Sequence, residues 1–483
     1  MKQDLELTVA LFPGQGAYRP GALAALWERG ADVVRGTFEA VDAVAKERLG
    51  QAVSPVLFRP SPPSPAALLQ QAPDILQLAV FATSVATHRL LAERGAQPSV
   101  HLGHSLGEVA ALTCAGAYDL ADAAAVLCER ISVVRDHDRG GGSMLALRCG
   151  RERAERLVTL IDHPDLVVAV DNAADQTVVS GPSDAIGTAA DIARQLGITA
   201  TPLRSPHPFH NPLLAEARRE LAARIGTFRR RPTTVPVYSP ILGRFYRDGD
   251  DLADLLALHL VTPVAFRTSV AALHSAGART FVEVGAGQVL TSLVAGAHPG
   301  VHTAAPLAGR DEEEGLTAAA DALREPLSRA TAVHPVTVAP GGIPVPVPAV
   351  PNPEARETRE AADAREAVGA AGPVRAAGEA APPSREVPAA VDRGELAGRV
   401  RALYAEAMEY PEEVFTDDVL LEADLGVDSV KQTELLSRIG DRFGLGVPPA
   451  GLRVADYDTF GKVVDFVAEG AARGALADGT AAR

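Results

Sequence analysis

The sequence predicts an α/β domain followed by a small all-helical bundle. Short apolar runs of strand length, such as residues 7–12 and 100–102, end in glycine-containing turns and lead into helical periodicity. Residues 331–393 contain 11 of the 36 prolines and no aromatic residue, a composition that cannot form a core. Residues 394–470 regain helical periodicity, and their seven basic and sixteen acidic residues give a charge of −9.

Composition and charge narrow the classes of function. The chain has 483 residues, a length that suits two or three domains, and 47% of them are hydrophobic, which is enough for a large core. A net charge of −15 argues against a nucleic acid partner. Three cysteines without C-x-x-C spacing argue against disulfides and structural zinc and favour a reducing cytoplasm. We expect no signal peptide, no apolar run of membrane-spanning length and no membrane partner.

The first predicted strand, residues 7–12, is followed at once by Pro13-Gly14-Gln15-Gly16. Glycine lets a backbone approach closely, and Gln15 supplies an amide between the two glycines. Such a loop can cradle a phosphate, but no Walker lysine follows, and a plain turn is the alternative. Helical periodicity continues over residues 20–50 and 65–95, where we expect Gln77 to be structural.

A second strand leads into Gly103-His104-Ser105-Leu106-Gly107, a G-x-S-x-G pattern followed by a helix. On such a turn the serine hydroxyl points outward, beside the Leu106 N–H and a helix N-terminus that can stabilise an oxyanion. A tight turn with a solvated serine is the alternative. Arg130 follows 25 residues later on an apolar helix, where an arginine fork suits a carboxylate. The alternative is a pairing with Glu129 or a surface position.

The segment after Gly140-Gly141-Gly142, which predicts a flexible joint, has the pattern of a small inserted α+β subdomain. Strands are predicted over 144–147, 166–170, 177–181 and 198–203, with a helix over 184–196. A proline-rich loop then holds His207 and His210, which are candidate general bases because histidine titrates near neutral pH. A metal site is the alternative, although no third ligand of suitable type lies nearby. Further strands are predicted over 234–239 and 280–285.

Residues 331–393 are interpreted as a linker, whose span for about 60 flexible residues is about 45 Å. That reach is enough to bring a tethered module to an active site. In the acidic C-terminal segment, helices are predicted over 395–409, 429–442 and near 460–469. Ser429 lies at a helix N-cap within Glu422-Ala-Asp-Leu-Gly-Val-Asp-Ser-Val-Lys431, and plain capping is the alternative interpretation.

Together these motifs resemble the malonyl-CoA:acyl carrier protein transacylase family, which includes the acyltransferase domains of polyketide synthases. Their order and spacing agree from residue 8 to about residue 325. The matching motifs are Phe12–Ala17, Gly103–Glu108, Arg130, Gly140–Leu145, Asn172, His207–His210, Pro236–Ser239 and Val282–Gly287. Residues 394–470 resemble an acyl carrier protein, with Asp428-Ser429 at the phosphopantetheine attachment position.

The resemblance implies an α/β-hydrolase-like large subdomain with a ferredoxin-like small subdomain inserted at about 143–205. These form an acyltransferase domain over residues 1–330. The disordered linker at 331–393 would connect it to an all-α carrier-protein helical bundle over 394–470, with a flexible tail at 471–483.

The resemblance also implies roles for individual residues and no metal. Ser105 would attack the thioester of an acyl-CoA, and His210 would take the proton of Ser105. The remaining roles are oxyanion N–H groups from Gln15 and Leu106, a backbone carbonyl of His259 that orients His210, and substrate contacts from Arg130, His207, Phe209 and Asn172. Arg130 would pair with the carboxylate of a malonyl-type group, and Phe209 and Leu106 are similar to malonyl-selective members. Pro208 departs from the usual alanine.

The function implied is transfer of a malonyl group from malonyl-CoA to 4'-phosphopantetheine, which would be covalent on Ser429 or on a separate carrier protein. Further partners would be a phosphopantetheinyl transferase and a ketosynthase or other condensing enzyme acting in trans. The process would be polyketide or fatty-acid-like biosynthesis in the cytoplasm. The alternatives are a serine thioesterase or hydrolase, whose acceptor is water, and a non-catalytic carrier or docking protein loaded by another enzyme.

Overall fold

The structure is a computed structural model in which the chain divides into two units, Met1–Val350 and Pro351–Arg483. In the first unit it describes residues 6–137, 141–203, 205–309 and 311–328. In the second it describes residues 393–408 and shorter stretches between 414 and 468. The predicted linker and the predicted C-terminal tail therefore lie almost wholly outside the described residues.

A six-stranded, mostly parallel sheet forms the centre of the first unit. Its strands are β1 (Leu7–Phe12), β2 (Val100–Gly103), β7 (Val237–Ser239), β8 (Arg244–Phe245), β9 (Ala278–Glu283) and β10 (His302–Ala304). Their order is β10-β9-β1-β2-β7-β8, and only the β7–β8 pair is antiparallel. Residues 9–12 of β1 are fully buried, as expected for a parallel sheet covered on both faces.

The register of β1 against β2 places two loops side by side. Phe12 is paired with Gly103, so both strands end at the same level of the sheet. The Pro13–Gly16 loop after β1 and the Ser105 turn after β2 therefore meet at one edge. In open α/β sheets, this carboxyl edge is where ligands bind.

The helices of the first unit surround this sheet and a second, smaller sheet that belongs to the insert. They are α1 (Ala24–Glu28), α2 (Asp32–Leu49), α3 (Ser54–Leu57), α4 (Pro65–Gln71), α5 (Pro73–Glu93), α6 (Gly107–Cys114), α7 (Leu120–His137), α8 (Arg151–Ile161), α9 (Ser183–Gln195), α10 (Ala215–Ile225), α11 (Leu252–Leu258), α12 (Phe266–Ser275), α13 (Val289–Ala297) and α14 (Glu312–Ser328). The helical periodicity predicted over 20–50 and 65–95 is thus divided among four helices, α1 and α2 in the first range and α4 and α5 in the second. The break between α4 and α5 falls at Ala72-Pro73, because proline disfavours helical geometry in the residue before it.

The long helix α5 is the core helix of the first unit. Among the described helices it alone is long and apolar enough to cross a membrane, and 83% of that apolar window is buried inside the protein. The expectation that no apolar run has this length was therefore wrong. The burial explains the apolar sequence, since the helix contacts α2, α4, α6, α7 and α14.

The insert is a second, antiparallel sheet covered by two helices. Its strands are β3 (Gly142–Leu147), β4 (Val167–Ala173), β5 (Gln176–Pro182) and β6 (Ala200–Pro202), in the order β4-β5-β3-β6. With α8 and α9 the succession along the chain is β–α–β–β–α–β. The sequence pattern predicted the four strands and the second helix of this insert, whereas α8 was not predicted.

The insert is attached to the large subdomain through the segment after α11. Val264 forms an isolated parallel bridge with Val170 of β4. Next to it, the guanidinium of Arg267 binds the buried carboxylate of Asp171 with both arms, at 3.0 Å for Nε–Oδ1 and 2.9 Å for Nη2–Oδ2. Such a two-armed pair fixes orientation as well as distance.

The second unit has its own apolar core. Helix α15 (Arg393–Met408) supplies Val400 and Tyr404, which pack with Phe415 and with Phe460 of a helix over residues 460–468. These bounds agree closely with the predicted first and last helices. The predicted helix over 429–442 lies mostly outside the described residues.

Candidate active site

The Ser105 turn is shaped by two glycines that allow close packing. A Cβ atom on Gly107 would lie 2.0 Å from the carbonyl oxygen of Phe12, and one on Gly103 would lie 2.4 Å from the backbone of Glu108. Ser105 itself has a φ of 54°, in the left-handed region that side chains rarely adopt. The G-x-S-x-G spacing therefore reflects a strained strand-to-helix turn that holds the serine at the sheet edge.

Ser105 and His210 form a hydrogen-bonded pair. The Oγ atom of Ser105 lies 2.7 Å from Nε2 of His210. The other ring nitrogen of His210, Nδ1, lies 2.9 Å from the carbonyl oxygen of Thr262. A carbonyl can only accept, so Nδ1 carries the proton and Nε2 is free to accept one from Ser105.

The carbonyl that orients His210 belongs to Thr262, so the prediction of His259 for this role was wrong. The chain continues in helical turns beyond α11, where the N–H groups of Val261 and Thr262 donate to Leu258. Leu260 accepts from the N–H of Asn211 at 3.2 Å, and the next carbonyl turned toward the His210 ring is that of Thr262. His259 is buried and takes part through its side chain instead.

Burial keeps His210 neutral. Desolvation, together with smaller effects of Arg130, His259 and His104, lowers the pKa of His210 to about 3, although the hydrogen bond to Thr262 opposes the shift. His210 is therefore neutral, with its single proton on Nδ1, over the whole neutral range. A general base must be neutral and within hydrogen-bond distance of the proton that it takes, and the imidazole of His210 meets both conditions toward the Ser105 hydroxyl.

The loop after β1 lies directly against the Ser105 turn. A Cβ atom on Gly14 would be 2.9 Å from the carbonyl oxygen of His104 and 3.8 Å from Cβ of Ser105. In the part of the chain that the structure describes, the N–H groups of Gln15 and Leu106 have no hydrogen-bond acceptor. Two unpaired N–H groups flanking a nucleophile are the arrangement of an oxyanion hole.

Arg130 on α7 is buried at the same site. One guanidinium arm donates to Oε1 of Gln77 on α5, and the Cζ atom lies 4.6 Å from the ring centroid of Phe209. Burial lowers the pKa of Arg130 to about 10, which still leaves it charged at neutral pH. Within the described residues no carboxylate lies within 4.0 Å of this guanidinium, so neither a pairing with Glu129 nor a surface position is found.

The other predicted substrate contacts lie around this centre. Asn172 is half-buried, and its amide is engaged by Nε2 of His104 at 2.8 Å and by Gln176 at 2.9 Å. Asn172 therefore contacts His104, the residue before Ser105, through a hydrogen bond between their side chains. His207 stacks edge-on with Phe209 at 5.6 Å in the same loop. Ser429 lies outside the described residues, and no group of three or more metal-ligating side chains is found among the residues described.

Sequence reasoning missed three contributors to the site. Thr262 acts through its backbone, which leaves no side-chain signal. Gln77 is buried and hydrogen-bonded, as its structural interpretation predicts, but its partner, Arg130, was not expected. Pro208, which departs from the usual alanine, packs on Gly142, where a Cβ atom would lie 2.5 Å from its Cγ.

The fold and the Ser–His geometry define a nucleophilic-serine enzyme built on an α/β sheet. Residues 9–325 match the family described as acyl transferase domain, and residues 398–467 match phosphopantetheine attachment site. The chain belongs to the acyl transferase domain family.

Relatives of known identity agree with this assignment. The spectinabilin polyketide synthase system protein NorB of Streptomyces orinoci is 32% identical over 291 residues, which cover 59% of this chain and 13% of that protein. The malonyl CoA-acyl carrier protein transacylase of Bacillus subtilis is 29% identical over 289 residues, covering 59% of this chain and 88% of that protein. The chain thus spans only a small part of the polyketide synthase protein that it matches.

Solved structures share the fold of the first unit. The malonyl CoA-acyl carrier protein transacylase of Coxiella burnetii superposes with a TM-score of 0.59 at 26% identity, covering 67% of this chain and 99% of that one. A complex between a type II polyketide synthase acyl carrier protein and its malonyl-transacylase matches with the same TM-score. The mixed α/β fold and the helical C-terminal region expected from the sequence are confirmed.

Proposed function

We propose that the first unit moves a malonyl group from malonyl-CoA to a phosphopantetheine thiol through an ester on Ser105. The acceptor is the group that the sequence places on Ser429 of the same chain, a separate carrier protein, or both. The observation that carries the choice of a malonyl-type substrate is the buried Arg130, which has a charge but no carboxylate partner in the described part of the chain.

In the first half-reaction, Ser105 Oγ attacks the thioester carbonyl while His210 Nε2 takes the hydroxyl proton. The oxyanion that forms accepts hydrogen bonds from the N–H groups of Gln15 and Leu106. The carbon–sulfur bond then breaks, CoA leaves as a thiol with the proton from His210, and Ser105 carries the malonyl ester. In the second half-reaction the incoming thiol gives its proton to His210 Nε2 as its sulfur attacks the carbonyl of the malonyl ester. The bond between that carbonyl and Ser105 Oγ then breaks, the carrier leaves with the malonyl thioester, and His210 returns the proton to Ser105 Oγ.

Arg130 supplies selectivity in this scheme. The malonyl carboxylate would be the counter-ion of the Arg130 guanidinium, which is already oriented by Gln77 and by the ring of Phe209. Because the arginine is buried and preoriented, little additional ordering is needed when the carboxylate binds. An acetyl group offers no such partner.

The domain arrangement extends the proposal. We retain an acyltransferase domain over 1–330, a linker over 331–393, a carrier domain over 394–470 and a tail over 471–483. The large subdomain is proposed to be α/β-hydrolase-like, which the parallel sheet with its strand–Ser105–helix turn supports. The insert is proposed to be ferredoxin-like, which its β–α–β–β–α–β succession and antiparallel sheet support.

The partners follow from the same chemistry. A carrier serine needs a phosphopantetheinyl transferase, and the match of residues 398–467 to a phosphopantetheine attachment site supports that role for Ser429. A malonyl thioester on a carrier is used by a ketosynthase or other condensing enzyme, which would act in trans. The three free cysteines, Cys114, Cys128 and Cys149, support a reducing, cytoplasmic location.

The test is mass spectrometry, of the intact protein and of its proteolytic peptides, after the phosphopantetheinylated protein has been offered malonyl-, methylmalonyl- and acetyl-CoA together. We expect malonyl on the peptide that contains Ser429. Ser105→Ala should slow this loading by about 10³-fold or more, because no ester can form. Ser429→Ala is the matched control, since it should keep the Ser105 ester and lose only the carrier product.

Two results would contradict the proposal. Equal loading of wild type and Ser105→Ala would exclude the acyl-enzyme route and would favour a carrier loaded by another enzyme. Rapid release of free malonate without carrier loading would instead favour a hydrolase, in which water is the acceptor.

A further inference from the structure

A buried carboxylate lies directly beneath the nucleophile turn and has no role in the proposed reaction. Glu108 is the second residue of α6 and is fully buried. Its N–H donates to the carbonyl of Ser105 at 2.9 Å. Its Oε2 atom accepts a hydrogen bond from the Tyr246 hydroxyl at 2.7 Å, whereas Oε1 has no hydrogen-bond partner among the described residues.

The side chain of His259 completes this cluster. Its Nε2 atom lies 3.3 Å from the Tyr246 hydroxyl and 3.5 Å from Oε2 of Glu108. Glu108 is fully buried and His259 is 3% exposed, whereas Tyr246 is half-buried. Burial and the adjacent Glu108 carboxylate raise the pKa of Tyr246, so its hydroxyl stays protonated and donates. We call Glu108, Tyr246 and His259 the buried triad.

The buried triad connects the two halves of the catalytic pair. Glu108 is hydrogen-bonded through its backbone to Ser105, and His259 begins the segment that supports His210. One residue beyond His259, the Leu260 carbonyl accepts from Asn211, and two residues further the Thr262 carbonyl holds the Nδ1 atom of His210. The nucleophile turn and the base-holding segment are therefore joined beneath the site.

Packing alone is a poor explanation for this carboxylate. Burying a charge is unfavourable unless it is paired, and a well-packed apolar side chain in its place is often neutral or stabilising. No lysine or arginine forms an ion pair with Glu108 in the described part of the chain, and one of its oxygens is unsatisfied. The first turn of a helix favours a negative charge, but an exposed residue could serve that purpose at less cost.

We propose that Glu108 is a positioning residue, which acts through the Tyr246 hydroxyl and His259 to fix the distance between Ser105 and His210. This inference rests on the proposed function, because it assigns these residues to the same Ser–His chemistry. Supporting groups behind a catalytic pair hold it within the narrow geometry that proton transfer needs. A loss of the Tyr246 hydroxyl should therefore slow attack by Ser105 without weakening malonyl-CoA binding.

The test uses the full-length protein and a fluorophosphonate reagent, which modifies a serine only when its base is aligned and which needs no malonyl-CoA. Tyr246→Phe should lower the second-order rate constant for labelling of Ser105 by about tenfold. In malonyl loading, the same variant should lower kcat to a similar extent and leave KM within twofold of the wild-type value.

The matched control is Tyr238→Phe. Tyr238 is a buried tyrosine whose hydroxyl donates to the carbonyl of Gly243 at 2.8 Å, and in the described part of the chain its side chain forms no hydrogen bond with the buried triad. Its labelling rate should stay within twofold of wild type, with a decrease in Tm like that of Tyr246→Phe. Equal labelling rates for the two tyrosine variants would overturn the proposal.

A second pair of variants tests the hydrogen-bond route. Glu108→Gln keeps an acceptor for the Tyr246 hydroxyl and should retain most of the labelling rate, whereas Glu108→Ala should lose about tenfold. Equal losses in both would contradict it. If wild type is labelled rapidly but loads no malonyl, the proposed function fails while the positioning role remains measurable by labelling.

Discussion

Ser105 and His210, the proposed catalytic pair, both have unfavourable backbone conformations. Ser105 has a φ of 54° and His210 a φ of 58°, and only two other non-glycine residues in the described chain, Leu23 and Asp162, have positive φ values. Such conformations persist where the surrounding structure determines them, and they are concentrated at functional sites. The strain is held by the close packing of Gly103 and Gly107 on one side and by the segment ending at Thr262 on the other.

Arg130→Ala should change substrate preference rather than abolish transfer. Loss of the guanidinium removes the carboxylate partner and should lower malonyl loading by about 100-fold, corresponding to about 3 kcal/mol. Acetyl loading should change by less than about threefold, since an acetyl group makes no ion pair. The measurement is the ratio of kcat/KM for malonyl-CoA to that for acetyl-CoA.

Arg135→Ala is the control for that variant. Arg135 lies on the same helix, α7, but is exposed and pairs with Asp74 at 2.8 Å. Exposed pairs contribute little, so the substrate ratio should be unchanged. An unchanged ratio in Arg130→Ala itself would exclude the carboxylate-binding role.

At the scale of elements, local patterns predicted the parts of the site that follow strands. The β1 loop and the β2–Ser105–α6 turn are each marked in the sequence by a short apolar run followed by glycines. The insert is marked by alternating strand and helix patterns. Contacts between distant elements had no such signal. Thr262 contributes a backbone atom, and Glu108, Tyr246 and His259 meet only when three separate elements fold together, so their sequence neighbours reveal nothing of the contact.

The start of β3 packs against the His207–His210 loop so closely that one added methyl group would disturb the contact. Gly142→Ala would place its Cβ atom 2.5 Å from Cγ of Pro208. The loop must shift, and with it Phe209, whose ring lies against Arg130. We expect a cost in stability of about 1–3 kcal/mol and a severalfold higher KM for malonyl-CoA, measured by denaturant unfolding and steady-state kinetics.

Gly187→Ala provides the comparison within the same insert. Gly187 lies inside α9, and a Cβ atom there meets nothing within 4 Å. This variant should be stabilised by about 0.5–1 kcal/mol and keep the wild-type KM. A wild-type KM in Gly142→Ala would show that the packing on Pro208 does not position the loop.

Across the whole first unit, buried histidines make folding sensitive to acid. Burial lowers the pKa of His101 to about 3, of His210 to about 3 and of His88 to about 4, below the ordinary value of 6.5. The unfolded chain therefore binds protons that the folded domain does not. Each group's contribution to stability is complete above pH 6.5 and is lost as the pH falls toward 4.

Glu283 works in the opposite direction. Burial raises its pKa to about 7, so its contribution is present below pH 4.5 and is lost as the pH rises through 7. The pKa values of His104 and His298 are also lowered, and those of Glu312 and Asp122 are also raised, chiefly by burial. Since the histidines outnumber the carboxyl groups, the first unit should unfold at lower temperature at pH 5 than at pH 7. Each uncompensated proton changes the free energy of unfolding by about 1.4 kcal/mol per pH unit.

Calorimetric Tm values between pH 4 and 8 would check this expectation. His101→Leu should flatten the dependence between pH 4 and 6.5, because it removes one of the protons taken up on unfolding. Glu283→Gln should instead steepen the dependence between pH 5 and 7. A Tm that rises as the pH falls from 7 to 5 would contradict the assignment of these histidines as neutral in the folded state.

The pair between Asp171 and Arg267 limits how the insert can be exchanged with that of a relative. Chimeras made to alter substrate choice would normally be cut where the chain enters and leaves the insert. Here such a cut separates Asp171, which travels with the insert, from Arg267, which stays behind. Asp171 without its arginine is a buried, uncompensated charge. This requirement differs from that of Thr262, which contributes a backbone carbonyl that any residue supplies. Asp171 and Arg267 therefore need to be transplanted together, as a single unit of recombination.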